Sequence, residues 1–113
     1  MASIAGLVGT PLTGPAYVAS KHGVIGLTKV AAVENGKRNI RINAVCPGVV
    51  QTQMADRVFG DKTEVIEAVT DLHPLGRFGT PNEVAEAVIW LCSDSASFVT
   101  GHALSVDGGF VAR

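Results

Sequence analysis

Charge and aromatic side chains are scarce in this sequence of 113 residues. Charged residues make up 17% of it and aromatic residues 5%, and nine basic and ten acidic residues give a net charge of −1. Because the basic residues form no stripe, the sequence has no electrostatic footprint for nucleic acid. No apolar run approaches the ~18 residues of a transmembrane helix, and the N-terminus lacks the basic segment of a secretion signal. We therefore expect partners other than nucleic acids and membranes.

Cysteine is also rare. The two cysteines, Cys46 and Cys92, lie too far apart in the sequence to form a zinc-binding or redox-active spacing. We expect two buried free thiols in a reducing cytoplasm, which predicts a cytoplasmic protein. His22, His73 and His102 have no partners at metal-binding spacings. We therefore expect no metal site and assign these histidines structural or surface roles.

Hydrophobic residues and glycine dominate what is present. The chain is 47% hydrophobic and has thirteen glycines, which is typical of one α/β domain whose strands are covered on both faces. The first twelve residues predict an apolar loop. The elements predicted after it are a helix from Pro15 to about Asn35, a strand at 40–46 that Pro47 stops, helices from Thr52 to Val58 and from Lys62 to Leu72, a helix that a capping box at 80–83 starts and Ser93 ends, and a short strand at 103–106. A helix, a short turn and a buried strand in this order indicate a parallel sheet.

The single tyrosine of the chain, Tyr17, stands four residues before Lys21 in the first predicted helix. Residues four apart lie on one face of a helix, so the phenol and the ammonium should point into the same space. A cation at ~4 Å and an effective dielectric constant of ~20 favours the phenolate by about 4 kcal/mol. Such a phenol is suited to acid–base chemistry near neutral pH. The pattern is short, and the alternative is an interfacial tyrosine beside a solvated lysine.

Four motifs occur in one order along the chain. They are Ser3 followed by Gly6, Tyr17 followed by Lys21, an Asn-Ala-Val-Cys-Pro-Gly run at 43–48 leading to Thr52, and Val-Asp-Gly-Gly at 106–109. Together they resemble the short-chain dehydrogenase/reductase family, in particular its NAD(P)-dependent members with a Tyr-Lys-Ser catalytic set. The resemblance implies an α/β fold, the C-terminal part of a Rossmann-like doubly wound parallel sheet, with about two strands and three to four helices in this chain. It also implies NAD or NADP as the cofactor.

The resemblance gives three side chains catalytic roles. Tyr17 matches the general acid–base residue that exchanges a proton with the substrate's hydroxyl or carbonyl oxygen. Lys21 matches the residue that favours the phenolate and bonds the nicotinamide ribose, and Ser3 matches the hydroxyl that holds the substrate oxygen. Ser3 stands fourteen residues before Tyr17, one more than is common in the family. Ser20 is the rival for the serine role, although helix packing explains it more simply.

The resemblance also assigns residues to the cofactor and the substrate. The segment after the predicted strand matches the part that wraps the nicotinamide end of the cofactor. The implied cofactor-binding residues are Tyr17, Lys21, Pro47, Gly48, Val50 and Thr52. Residues 53–78 would form a lid over the substrate, which is implied to be a small alcohol or ketone. Family members form dimers and tetramers, so a homo-oligomer is implied for the full-length protein.

One feature of the family is missing. The glycine-rich dinucleotide fingerprint, which follows the first strand of such domains, does not occur in this chain. We therefore expect residues 1–113 to be the C-terminal part of a longer domain, with Met1 an internal methionine, and the chain alone to be inactive or nearly so. The residue that selects NAD or NADP is missing as well. The alternative function is a catalytically inactive association module that docks through the helices at 15–35 and 80–92.

Overall fold

The computed structural model describes residues 1–112 and has an α/β fold, as predicted. Its main elements, in chain order, are α1 (Pro15–Asn35), β1 (Ala44–Pro47), α2 (Gln53–Phe59), α3 (Thr63–Asp71), α4 (Pro81–Cys92) and β2 (Ala103–Val106). The two strands pair in parallel, with Ala44 opposite Ala103 and Pro47 opposite Val106. Parallel strands need a crossover connection, and here it carries the helices α2, α3 and α4.

α1 begins where the sequence predicts. Gly14 precedes the helix in an extended conformation and Pro15 occupies the first turn, where a missing N–H costs nothing. One face of α1 is buried through Ile25, Thr28 and Ala32, and the opposite face is exposed. Within residues 1–112, none of the helices combines the length and apolar character that crossing a membrane would need.

β1 is covered on both of its faces. Successive side chains of a strand point to opposite sides, so one short strand can join two hydrophobic clusters. The clusters consist of Ala2, Ile25, Ala44 and Cys46 on the first face, and of Val45, Val84 and Leu91 on the second. The first cluster joins β1 to α1 and the second joins it to α4. This two-sided burial agrees with the hydrophobic composition.

The strand predicted at 40–46 is wrong in its extent, because β1 begins only at Ala44. Before it, the Asn43 side-chain amide donates to the Val99 carbonyl at 2.8 Å, and its oxygen accepts from the His102 N–H at 3.0 Å. These side-chain bonds hold the chain beside the segment that leads into β2. They alternate with backbone bonds, such as that from the Gly101 N–H to the Ile42 carbonyl at 2.7 Å, so the pairing before β1 is not a regular ladder.

Pro47 is the last residue of β1, so the Pro47–Gly48 pair ends the strand as the sequence predicts, one residue beyond the predicted position 46. Pro47 stands opposite Val106 in the parallel register. A proline has no N–H to give to a ladder, but the N–H of Gly48 donates to the Val106 carbonyl at 3.0 Å. In this register the N–H groups of Ala44 and Gly48 donate toward the β2 segment, so no bond to β2 needs an N–H at residue 47.

The two cysteines differ in exposure. Cys46 is completely buried, as predicted, and Cys92 is exposed, so the prediction for Cys92 is wrong. Cys92 is the last residue of α4 and follows Leu91, whose side chain takes the core position. Burial raises the pKa of the Cys46 thiol, and a hydrogen bond from the backbone of Ser3 partly offsets this effect.

α4 begins with the capping box that the sequence predicts. The Thr80 hydroxyl accepts from the Glu83 N–H at 3.3 Å, and the Glu83 carboxylate accepts from the Thr80 N–H at 2.7 Å. The same carboxylate binds the guanidinium of Arg77 through two contacts of 2.6 and 3.0 Å. The bond to Arg77, followed by the backbone bond at Thr80, lowers the pKa of Glu83 to about 2.

We expect Glu83→Gln to destabilise the protein in a pH-dependent way. The pKa of Glu83 is lowered from 4.5, its value in the unfolded chain, to about 2 in the native state. The ionised carboxylate therefore stabilises the native state fully above pH 4.5, and this stabilisation is lost as the pH falls through about 2. The difference in melting temperature between parent and variant should therefore be largest near neutral pH and shrink in acid, as followed by circular dichroism. Glu86→Gln on the same helix is the control. A difference in melting temperature between the parent and Glu83→Gln that does not change with pH would contradict the prediction.

Candidate active site

Tyr17 and Lys21 come together on the first turns of α1. The ammonium nitrogen of Lys21 lies 5.2 Å from the centroid of the Tyr17 ring, within the ~6 Å at which a cation is attracted to an aromatic face. Tyr17 remains 41% exposed, and both side chains line the same cavity. The structure therefore places the phenol and the ammonium in one space, as their spacing in the sequence predicts.

Ser3 reaches the same cavity from the N-terminal segment. It caps a short turn of 3₁₀-helix at Ile4–Gly6, where its hydroxyl oxygen accepts from the Ala5 N–H at 3.2 Å. The segment lies against α1 because residue 6 is glycine: a Cβ there would stand 2.6 Å from the Lys21 carbonyl oxygen. This close approach carries Ser3 toward the helix turn that bears Tyr17 and Lys21.

The cavity has a volume of about 570 Å³. All seven residues singled out in the sequence line it, and they come from three separate parts of the chain: Ser3, Tyr17, Lys21, Pro47, Gly48, Val50 and Thr52. In α/β folds such crevices lie at the carboxyl ends of parallel strands. Pro47 is the last residue of β1, and Gly48, Val50 and Thr52 follow it. The arrangement brings the residues together, and their individual roles stay predictions.

Gly48 allows β1 and the segment after β2 to approach closely. A Cβ at Gly48 would stand 2.9 Å from the Cα of Asp107 and 3.1 Å from Nε2 of His73. The Asp107 carboxylate accepts from the backbone N–H groups of Gly109 and Val111 at 3.1 and 2.9 Å. The turn after β2 is therefore held rigidly where it supports the cavity wall.

His73 is a buried support for this wall. Its side chain is 2% exposed, Nδ1 lies 2.9 Å from the Val69 carbonyl oxygen, and the Val49 N–H donates to Nε2 at 3.3 Å. The sequence suggests a structural or surface role for His73, and the structure gives it a structural one. No sequence signal marks its particular task, which is to tie the segment after β1 to the end of α3.

The region predicted as a lid, residues 53–78, contains two helices whose bounds agree with the prediction to within about a residue. α2 is capped by Thr52, whose hydroxyl oxygen accepts from the Ala55 N–H at 3.3 Å. Residues of α2 line the cavity, whereas within residues 1–112 the lining includes none from α3. The function of this region as a lid stays a prediction.

Several residues that line the cavity were not predicted from the sequence as site residues. They lie in the N-terminal loop, on α2 and at the start of α4, and include Thr10, Leu12, Thr13, Met54, Val58, Phe59, Pro81 and Val84. Apolar spacing on α2 is the one signal that could have identified its members. The Thr13 hydroxyl is buried without a hydrogen-bond partner, a feature that only the folded structure reveals.

Comparison with known proteins identifies the family. Residues 1–111 match the family model described as enoyl-(acyl carrier protein) reductase. The chain belongs to the short-chain dehydrogenase/reductase family. It is 50% identical over 111 residues to 2,5-dichloro-2,5-cyclohexadiene-1,4-diol dehydrogenase of Sphingobium indicum, in an alignment that covers 98% of this chain and 44% of that protein. The chain thus spans less than half the length of this relative.

Solved structures of the family superpose closely on this chain. 4-Hydroxyisoleucine dehydrogenase complexed with NADH matches with a TM-score of 0.92 and 39% identity, over 99% of this chain and 45% of that one. ElxO with NADP bound matches with a TM-score of 0.89 and 38% identity, over the same shares of the two chains. The predicted Rossmann-like fold class is thereby confirmed.

We expect Gly6→Ala to destabilise the protein by about 1–3 kcal/mol, because the new methyl group would overlap backbone atoms of Lys21 that cannot move aside. Urea denaturation of the variant measures the loss. Gly9→Ala is the matched control in the same loop, since a Cβ at Gly9 would meet no atom within 4 Å. Equal stability of the two variants would refute the close approach.

Proposed function

We propose that the protein carrying this sequence is an NAD- or NADP-dependent oxidoreductase that interconverts an alcohol and a ketone. The observation that carries the proposal is the convergence of Tyr17, Lys21 and Ser3 on one cavity. The relative and the structural neighbours named above support it, since they are a dehydrogenase and proteins bound to NADH or NADP. The cytoplasmic location stays a prediction.

The residues present fit the nicotinamide end of such a cofactor. Lys21 supplies one cation, Thr52 a hydroxyl, and the Pro47–Gly48 pair a stretch of backbone on the cavity wall. Val50 adds an apolar surface for the ring. The sequence has no glycine-rich fingerprint for the pyrophosphate, so the proposal for these residues concerns the nicotinamide end alone.

Each of the three catalytic candidates has a separate role in the proposed reaction. In alcohol oxidation the Tyr17 oxygen accepts the hydroxyl proton, while the carbon-bound hydrogen leaves as hydride. The Ser3 hydroxyl would hold the substrate oxygen, and the Lys21 ammonium would bind the ribose of the nicotinamide. In the reverse direction Tyr17 returns its proton to the carbonyl oxygen. When bound, the nicotinamide supplies the acceptor or donor of the hydride.

We expect Tyr17→Phe to lower kcat by about 10²–10⁴, the range typical of a lost general acid–base group. The dissociation constant for NAD(P)H should stay nearly unchanged, because the ring and Lys21 remain. Steady-state kinetics and a cofactor titration on the full-length protein measure both quantities. Ser20→Ala is the control, since the Ser20 hydroxyl is exposed and bonds to the Tyr17 carbonyl. A Phe variant with a near-normal rate would refute the role of Tyr17.

The second candidate function is association without catalysis, and one observation favours it. Large apolar side chains of α1 point to solvent, with Leu27 69%, Val30 55% and Val33 83% exposed. Gly23 and Gly26 lie on α1 where an added Cβ would meet no atom within 4 Å. Such a face suits contact with another helix, and the full-length oxidoreductase would use it to form a homo-oligomer.

An NADH titration separates the two functions for the 113-residue chain. We expect no binding in the micromolar range, because nothing in its sequence cradles the pyrophosphate. Fluorescence of NADH, titrated with this chain and with the full-length protein, gives the measurement. Micromolar binding by the 113 residues alone would show that the cofactor site needs nothing further.

A further inference from the structure

The wall of the active-site cavity carries very little charge. Among the residues that the structure describes, Lys21 is the one charged side chain that lines it. Lys21 already lies 5.2 Å from the centroid of the Tyr17 ring, and under the proposed function it binds the ribose of the cofactor. A carboxylate on a bound substrate would therefore find no further side-chain cation among the described residues of this wall, and burying an unpaired charge is costly.

α2 directs an apolar face toward the same cavity. Met54, Ala55, Val58 and Phe59 line it, whereas Asp56 and Arg57 of the same helix do not. Met54 is 72% and Val58 62% exposed, so these side chains have few protein neighbours to cover them. An apolar molecule in the cavity would remove their surface from water, which is the favourable term in binding such a ligand.

We infer that the substrate is an uncharged alcohol or ketone with an apolar carbon frame, and that Met54 and Val58 select it. This inference rests on the proposed function and narrows it to one class of substrate. Tyr17 and Ser3 would hold the oxygen at one side of the cavity. The apolar face of α2 would contact the carbon frame at the other side, and a carboxylate on that frame would be rejected.

The experiment compares two alcohols that differ by one carboxylate, cyclohexanol and 4-hydroxycyclohexanecarboxylate, with the full-length gene product and with NAD⁺ and NADP⁺ in turn. We expect kcat/KM to be about a hundredfold higher for cyclohexanol, because the acid must bury an unpaired charge. Faster oxidation of the acid would overturn the inference about the substrate but would still support the proposed oxidoreductase function. If neither alcohol is oxidised with either cofactor, both the inference and the proposed function are overturned.

Met54→Lys tests the role of α2 directly. The added cation should shift the ratio of the two kcat/KM values toward the acid by about tenfold or more, since it supplies the missing partner. Gln53→Lys places the same charge on the neighbouring residue of α2, which does not line the cavity, and should leave the ratio unchanged. Melting temperatures of both variants show that the fold is kept. Equal ratios for the two variants would overturn the role of α2.

Discussion

The site depends on one close contact between backbones, that of the N-terminal segment with α1. A side chain at residue 6 would overlap the Lys21 carbonyl, so hydrogen is the substituent that fits there. The same segment is tied to the sheet, because the Ala2 N–H donates to the Val45 carbonyl at 2.8 Å. Held at both points, the segment presents Ser3 beside the helix turn that bears Tyr17 and Lys21.

The opposite wall of the cavity depends on the segment after β1. It runs between His73 and Asp107, and Gly48 leaves room for both. His73 contacts the rings of Phe78 and Phe110 at centroid distances of 5.9 and 5.2 Å, so it also joins the region before α4 to the end of the chain. A change in this buried cluster would therefore reach the cavity through the backbone of Val49.

Local sequence signals predicted the helices and β2 (Ala103–Val106) well and the extent of β1 poorly. Proline in the first turn and the Thr80–Glu83 capping box mark the starts of α1 and α4, because both act within one helical turn. The extent of β1 could not be predicted from alternation, since Asn43 pairs through its side chain with residues far along the chain.

The candidate site shows the same difference between local contacts, which the sequence predicts, and contacts between distant residues, which it does not. Tyr17 and Lys21 share a helix, so their meeting follows from helical geometry. Ser3 and Thr52 could be tied to them only through family resemblance, because tertiary packing brings them together. The burial of His73 and the inward face of α2 depend on distant elements, and no local pattern contains them.

The unequal burial of the two thiols has a practical consequence for spectroscopy. Cys46 is a buried residue of β1, and Cys92 is exposed to water as the last residue of α4. A maleimide dye or spin label would therefore attach to one defined point of these 113 residues without mutagenesis. Because Cys92 lies outside the cavity lining, such a label would report on assembly and tumbling while leaving the chemistry undisturbed.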